Sequence, residues 1–151
     1  DLIVQPVDIV PTLCDLSGVS VAPPKPFDGI SFADAVLNGG SQHREFAVSG
    51  CHIATEDSNP PRRATTPFLA TKRWGYAPVG AQGQPELYDL SEDRLATNDL
   101  AADHQTEIDD LHQLFLQHLS THQAAEDVMA LWTRASAQES AGGVWAIDYP
   151  D

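Results

Sequence analysis

Few of the 151 residues carry side chains suited to chemistry, and they are unevenly spread. His52 follows an apolar run and opens a polar stretch that holds Arg62 and Arg63. One imidazole and two guanidinium groups there could read an anion, because the arginine fork offers parallel N–H donors to a sulfate or carboxylate. The opposing reading is a surface loop whose charges are solvated. Cys14 and Cys51 stand outside any C-x-x-C pair, so zinc and thioredoxin-type chemistry have no support. A Cys14–Cys51 disulfide stays open, and Cys14, set among apolar helix positions, reads as a small buried hydrophobe. His104, His112, His118 and His122 lie along a long helical pattern and its approach, where they read as solvated. Lys72 and Arg73 read as residues flanking a strand. The chain has no G-x-S-x-G elbow, no H-E-x-x-H and no Gly-rich phosphate loop.

Composition narrows the partners. With 22 acidic against 8 basic residues, the formal net charge is −14. Phosphate backbones require Lys and Arg, so nucleic acid is not an expected partner. An anionic membrane surface is disfavoured for the same reason. No stretch approaches the ~20 apolar residues of a membrane span. The chain starts at Asp1 with Leu2-Ile3-Val4 reading as a strand already under way, so a piece of a longer protein is expected. Neither compartment nor oligomeric state can be read from these features.

The elements that position these residues follow from periodicity and breakers. Residues 7–18 predict a short helix with Asp8 as N-cap, Pro11 early, and Gly18 at the end. Ile9, Leu13 and Leu16 share one face of it, which should be buried. Pro23, Pro24 and Pro26 force a loop. Ser31 with Asp34 approximates a capping box for a helix to Leu37, stopped by Asn38-Gly39-Gly40. Arg44 to Ser49 is a strand candidate, and Gly50 to Thr66 should be mostly loop. Residues 67–72, 73–78 and 86–90 complete about four short strands, which suggests an antiparallel sheet. Gln105 to Thr121 is the strongest helix, with Ile108, Leu111, Phe115 and Leu119 on one stripe that should cover the sheet. A second helix runs from Ala124 to about Ala137 with Val128, Leu131, Trp132 and Ala135 inward. Ser140 to Asp151 reads as irregular, docked through Trp145 and Tyr149.

The wording of three segments is more specific than their periodicity. Glu86-Leu87-Tyr88-Asp89-Leu90, followed by Asp93 and Asn98-Asp99-Leu100, resembles the E-L-Y-D-L-x-x-D-P-x-E-x-x-N-L signature near the end of the sulfatases, in the alkaline-phosphatase-like superfamily. Arg94 stands where that family usually has Pro, and Thr97 near its usual Glu. Asp8-Ile9-Val10-Pro11-Thr12-Leu13 through Gly18 resembles the family's D-[ILV]-x-P-T-L-x-x-L-x-G. Asp28-Gly29-Ile30-Ser31-Phe32 resembles its D-G-x-S-L segment, and Lys72 to Tyr76 the second half of its R-x-V-R-T-x-x-Y-K-Y-I strand pair. The motifs keep the family's order and cover roughly residues 4–40 and 68–120.

The resemblance implies an α+β chain in two parts and a tail. Residues 1–40 would be the last elements of an alkaline-phosphatase-like α/β domain. Residues 41–137 would be a small antiparallel sheet packed by a long C-terminal helix, and 138–151 a tail. It also implies a hydrolase of sulfate esters, or of N-sulfates, acting on a small-molecule or saccharide sulfate. The family's nucleophile is a formylglycine made in a C/S-x-P-x-R motif, and neither Cys14 nor Cys51 lies in one. Its divalent metal, usually calcium, is held by oxygens of an Asp-Asp pair and an Asp-Asn or Asp-His pair. Neither pair stands at its family position here, so nucleophile and metal are expected upstream, with no catalytic or metal-ligating residue in this chain. Sulfamidase-like members carry a His just after the strand that precedes His52, which implies substrate contact for His52, with Arg62 and Arg63 beside it. Alone, the chain is expected to be inactive. Two alternatives stay open: a phosphodiesterase or phosphonate monoester hydrolase of the same superfamily, and a non-catalytic α+β binding module.

Overall fold

The structure, a computed structural model, describes residues 2–21, 26–40, 44–50, 52–55, 62–65, 67–80, 84–135 and 146–147. The side chains of 52–55, 62–65, 127, 131, 134, 135, 146 and 147 lie outside that description. The chain divides into two compact units, Asp1–Ala47 and Val48–Asp151.

The first unit is built around one carboxylate. Gln5, itself extended, opens a 3-10 turn, Pro6–Asp8, that leads directly into α1, Ile9–Ser17. Asp8 is only 2% exposed, and its backbone is already helical (φ −79°). It therefore does not cap α1 as the sequence suggests. Its side chain instead accepts hydrogen bonds from Gln5 N–H (2.8 Å), Ile30 N–H (2.8 Å) and the Arg44 guanidinium (Nε at 3.1 Å). Arg44 grips both carboxylate oxygens, so the pair is bidentate. One turn on, Thr12 Oγ1 donates to the Asp8 carbonyl (2.6 Å) and accepts from Phe32 N–H (3.1 Å). The motif Asp28-Gly29-Ile30 is thereby laid against α1. Gly29 permits the approach: a Cβ there would sit 1.9 Å from the Val7 carbonyl oxygen. α1 ends at Gly18, whose φ of 67° is the left-handed conformation expected of a C-terminal glycine. α2, Ala33–Asn38, follows; Ser31 Oγ accepts from Ala33 N–H two residues on, a local turn rather than a capping box.

Two sequence expectations fail in this unit. Leu2 to Val4 forms no strand, since no described residue pairs with it. The α1 stripe of Ile9, Leu13 and Leu16 is exposed, while the polar residues Asp8 and Thr12 are buried. Cys14 is half-buried with a free thiol; Cys51 lies outside the described residues.

Two sheets follow along the chain. The larger has strand order β1-β4-β5-β6, from β1 Phe46–Ser49, β4 Phe68–Thr71, β5 Trp74–Ala77 and β6 Glu86–Asp89. β4–β5 and β5–β6 are antiparallel. Register aligns Leu69 with Tyr76 and Tyr76 with Leu87, so one fully buried row crosses three strands on one face. Thr71 closes the β4–β5 turn by accepting from Trp74 N–H at 2.8 Å. Gly75 keeps the other face open for Phe68, whose ring tip would lie 2.6 Å from a Cβ there. The smaller sheet has order β2-β3-β7, from β2 His52–Thr55, β3 Arg62–Thr65 and β7 Ala146–Ile147. The stretch expected to be mostly loop thus contains a strand pair, and the region expected to be irregular contributes a two-residue strand. Trp145 and Tyr149 lie outside the described residues.

α3, Gln105–Thr121, has the predicted bounds, with Ile108, Leu111 and Phe115 buried. α4, Glu126–Ala135, sets Trp132 edge-on against Phe115, ring centroids 5.5 Å apart. The side chains of Leu131 and Ala135, expected inward, are outside the description. His112 corrects the solvated reading of the helix histidines, being buried between three elements. Its Nε2 faces the Trp132 carbonyl of α4 (3.2 Å) and its Nδ1 the Tyr76 hydroxyl of β5 (2.9 Å). A carbonyl can only accept, so Nε2 carries the proton, and Nδ1 accepts from Tyr76. His104 is half-buried beside Trp74, His118 is half-buried, and His122 is exposed. No described helix is long and apolar enough to cross a membrane.

Two stability predictions follow from these buried polar groups. Asp8→Ala should cost about 3–5 kcal/mol in denaturant unfolding, because a buried ion pair loses one member. Burial raises the Asp8 pKa, but the hydrogen bonds from Arg44, Ile30 and Gln5 outweigh it and hold the carboxyl below its ordinary value. That stabilisation is complete above the unfolded carboxylate pKa of about 3.9 and is lost as pH falls through the folded value. Asp8→Asn should flatten the acid limb of the stability curve; an unaltered limb would refute the assignment. At His112 burial lowers the pKa, against weaker opposing effects of the Trp132 carbonyl and Asp109. The unfolded chain then takes up the proton first, so stability should be complete above about pH 6.5 and decline below it. Tyr76→Phe should cost about 1–3 kcal/mol by leaving Nδ1 unsatisfied. The pair Tyr76→Phe/His112→Leu should remove the slope below pH 6.5, and a slope that persisted would place its origin elsewhere.

Candidate functional site

The anion-reading candidates fall on the smaller sheet. β2 and β3 are antiparallel, with His52 opposite Thr65, Ala54 opposite Arg63, and Thr55 opposite Arg62. His52 and both arginines are therefore brought onto one two-stranded ribbon, which the sequence reading of a polar loop did not foresee. Directly opposite positions share a face, and faces alternate along each strand. Position 63 thus falls on the same face as position 52, as its diagonal neighbour at roughly 7–8 Å. Position 62 falls on the other face, three residues further along the partner strand. The register separates the two arginines that spacing alone had treated as equivalent. β7 pairs with β3 on its far side, Ile147 opposite Arg63, so β3 is the central strand and β2 an edge.

The signature after β6 organises a turn. Asp89 accepts from Ser91 N–H (3.1 Å) and Arg73 Nε (2.9 Å). Its carboxyl is held below the usual range by the Ser91 and Arg73 hydrogen bonds. Arg73 lies over the Trp74 ring, 4.4 Å from its centroid, so it is spent on the β5 side of the turn. Asp93 accepts from Thr97 N–H (2.6 Å) and Asn98 N–H (2.8 Å), which folds residues 93–98 into a loop and lowers the Asp93 pKa. Asp99 accepts from Leu87 N–H (3.0 Å), and Leu100 N–H donates to the Leu87 carbonyl (2.8 Å). The segment thereby pairs with β6 and blunts its edge. Tyr88 donates to Glu86 Oε2 (2.7 Å); burial, with this bond and nearby carboxylates, pushes its pKa up to about 12. Arg94, in place of the family's Pro, sits within this loop, next to its Asp93 anchor.

The donor set of the described residues does not fit the metal that the resemblance implies. Among the described residues no group of three or more His, Cys, Asp or Glu is placed to hold an ion. Asp8, the one buried carboxylate among them, is committed to Arg44 and two backbone N–H groups. Asp93 is turned onto its own loop, and Asp99 onto β6. Cys14 is followed by Asp15 and Leu16, without the proline of a formylglycine motif. The sequence reading missed the Asp8–Arg44 pair and His112. No local signal marks the first, since its partners are far apart in sequence. A signal for His112 was present, because Ile108, His112, Phe115 and Leu119 recur at four, three and four.

No protein-family profile matches the chain, and no curated protein does. Solved structures do. A candidate sulfatase from Bacteroides thetaiotaomicron superposes with a TM-score of 0.56 at 26% identity, covering 93% of this chain and 27% of that one. A 2-O GAG sulfatase gives 0.50 at 26% identity with the same coverage. A protein solved with its substrate D-glucosamine-2-N,6-O-disulfate gives 0.59 at 20% identity, a likeness of fold, over 79% of this chain and 24% of that one. The chain spans about a quarter of the length of these proteins. In the order of its motifs and in these likenesses, it resembles the C-terminal part of a sulfatase.

Proposed function

We propose that the chain is the C-terminal part of a sulfatase-like hydrolase that cleaves sulfate esters or N-sulfates of a saccharide or other small molecule. The observation that carries this is the likeness to a 2-O GAG sulfatase over 93% of the chain at 26% identity. Residues 1–40 would complete the large α/β domain, 41–137 would form the C-terminal subdomain, and 138–151 its tail. The formylglycine and the divalent metal, calcium in most of the family, would come from residues outside this chain. The metal would stabilise charge on the sulfate oxygens. The contribution of this part would be recognition. His52 and Arg63 would face an anionic group of the substrate, whose charge-assisted hydrogen bonds suit sulfate. Arg62, on the other face of the ribbon by register, would contribute less.

The test is sulfate release by the longer gene product on a panel of sulfated saccharides, with phosphodiester and phosphonate esters alongside. Metal-dependent sulfate release is expected there, and none from the 151-residue chain alone. Preferential turnover of the phosphorus esters would overturn the reaction class. Within the longer product, His52→Ala and Arg63→Ala should each raise KM about tenfold to a hundredfold, matching ~1.5–3 kcal/mol for a hydrogen bond to a charged group. Smaller changes in kcat should accompany them, and Arg62→Ala should move KM least. Equal effects of the two arginine variants would sink the face assignment.

A further inference from the structure

We propose that β7 is a working part of the anion-reading face: Ala146 and Ile147 are positioning residues that hold β3, and with it position 63, in place. This deepens the sulfatase reading above and rests on it for the substrate. The base of the ribbon is fixed by the larger sheet. Ser49, the last residue of β1, donates its hydroxyl to the carbonyl of Phe68, the first residue of β4 (3.5 Å). Counting outward from that pair brings His52 opposite Thr65, which is the observed register. β2 and β3 therefore prolong β1 and β4 as a two-stranded arm.

An arm of two four-residue strands is marginal on its own, because a lone ribbon leaves one edge of each strand unpaired. The larger sheet does not supply the missing neighbour. β5 flanks β4 on the side away from β1, and its pairing with β4 reaches outward only to Leu69. β7 takes the corresponding place along β3, on the side away from β2, with Ala146 opposite Ala64 and Ile147 opposite Arg63. Position 63 is thus flanked on both sides, by Ala54 of β2 and by Ile147 of β7. Position 52 is flanked on one side, since β2 is an edge of its sheet. Opposite positions share a face, so Ile147 stands beside Arg63 on the face that carries His52. Both positions directly opposite Arg63 are uncharged, so neither supplies a counter-charge, and an anion of the substrate suits the guanidinium there. Recognition by β3 then depends on a strand 84 residues further along the chain, which no local pairing replaces.

The double variant Ala146→Pro/Ile147→Pro in the longer gene product tests this, because proline removes the N–H that either residue could donate to β3. KM for a sulfated saccharide should rise about threefold to tenfold, the equivalent of one backbone hydrogen bond, with kcat nearly unchanged. In an Arg63→Ala background the prolines should add nothing to KM, whereas in a His52→Ala background they should act in full. Equal additions in both backgrounds, or a parental KM left unmoved, would overturn the inference, and β7 would then only cover an edge. Amide hydrogen exchange gives a readout without turnover. Exchange at residues 62–65 should quicken in the proline variant, and unchanged exchange there would also overturn the inference. Should that variant fail to accumulate, Ala64→Cys/Ala146→Cys, at directly opposite positions, should cross-link on mild oxidation of the longer product. A pair that stays reduced would count against β7 as the neighbour of β3. A longer product that releases no sulfate, yet exchanges faster along β3 with the prolines, would defeat the sulfatase reading and uphold β7 as the support of β3.

Discussion

A carboxylate taken out of water must receive from the chain both a counter-charge and a full set of hydrogen bonds, and Asp8 receives both. Desolvation opposes its ionised form, and only the combined donors of Arg44, Ile30 and Gln5 reverse that balance. The requirement sets the local geometry of the first unit. Ile30 N–H can reach the carboxylate only if the backbone at Gly29 passes against the Val7 carbonyl, where no side chain fits. Thr12, one turn further, repeats the arrangement with Phe32 N–H. α1 is therefore bound through its polar side, and its apolar residues are left facing outward. A buried ion pair is weak evidence for net stability, but here it selects one rotation of a helix that apolar burial alone would have turned the other way.

The second unit is organised by the opposite logic. Leu69, Tyr76 and Leu87 make an apolar row across three strands, and α3 meets that row at His112, whose ring stands edge-on to Tyr76. Among the described residues a polar chain runs through this core, from the Tyr76 hydroxyl through His112 to the Trp132 carbonyl. Because every member is satisfied, it fixes the rotation of α3 and the approach of α4, which apolar contact alone would leave looser. Phe115 and Trp132 then pack edge to face beside it.

What the sequence made legible follows this division. α3 and the strand–turn–strand of residues 68–77 were legible because local periodicity and the buried face agree there. The exposed stripe of α1 was read as buried, since periodicity reports that a helix has an apolar side and not what covers it. Asp8 looked like an N-cap because that is the commonest local use of Asp before a helix. Of its actual partners Gln5 is local, but Ile30 and Arg44 lie 22 and 36 residues away, where no local pattern shows them. The β2–β3 pair was hidden by composition: a Pro-rich polar stretch reads as loop even when it contains two four-residue strands. His112 stands at spacings of four and three from Ile108 and Phe115, so its position marks it as buried even though its residue type does not.

The residues that carry the family resemblance are architectural in this chain. Asp8 and Gly29 join two segments; Asp89, Asp93 and Asp99 each close a turn or blunt a strand edge. Their carboxylates are turned to backbone N–H groups of their own neighbourhood, the arrangement that stabilises a scaffold rather than one that meets a substrate. A signature of this kind specifies where the chain goes, and chemistry can be placed on such a frame from elsewhere. That is why the recognisable motifs and the candidate anion-reading residues do not coincide. His52, Arg62 and Arg63 sit on the smaller sheet, outside every stretch that resembles the family signature. A strand pair hydrogen-bonded into a separate sheet can change its side chains without disturbing the turns that hold the larger one together.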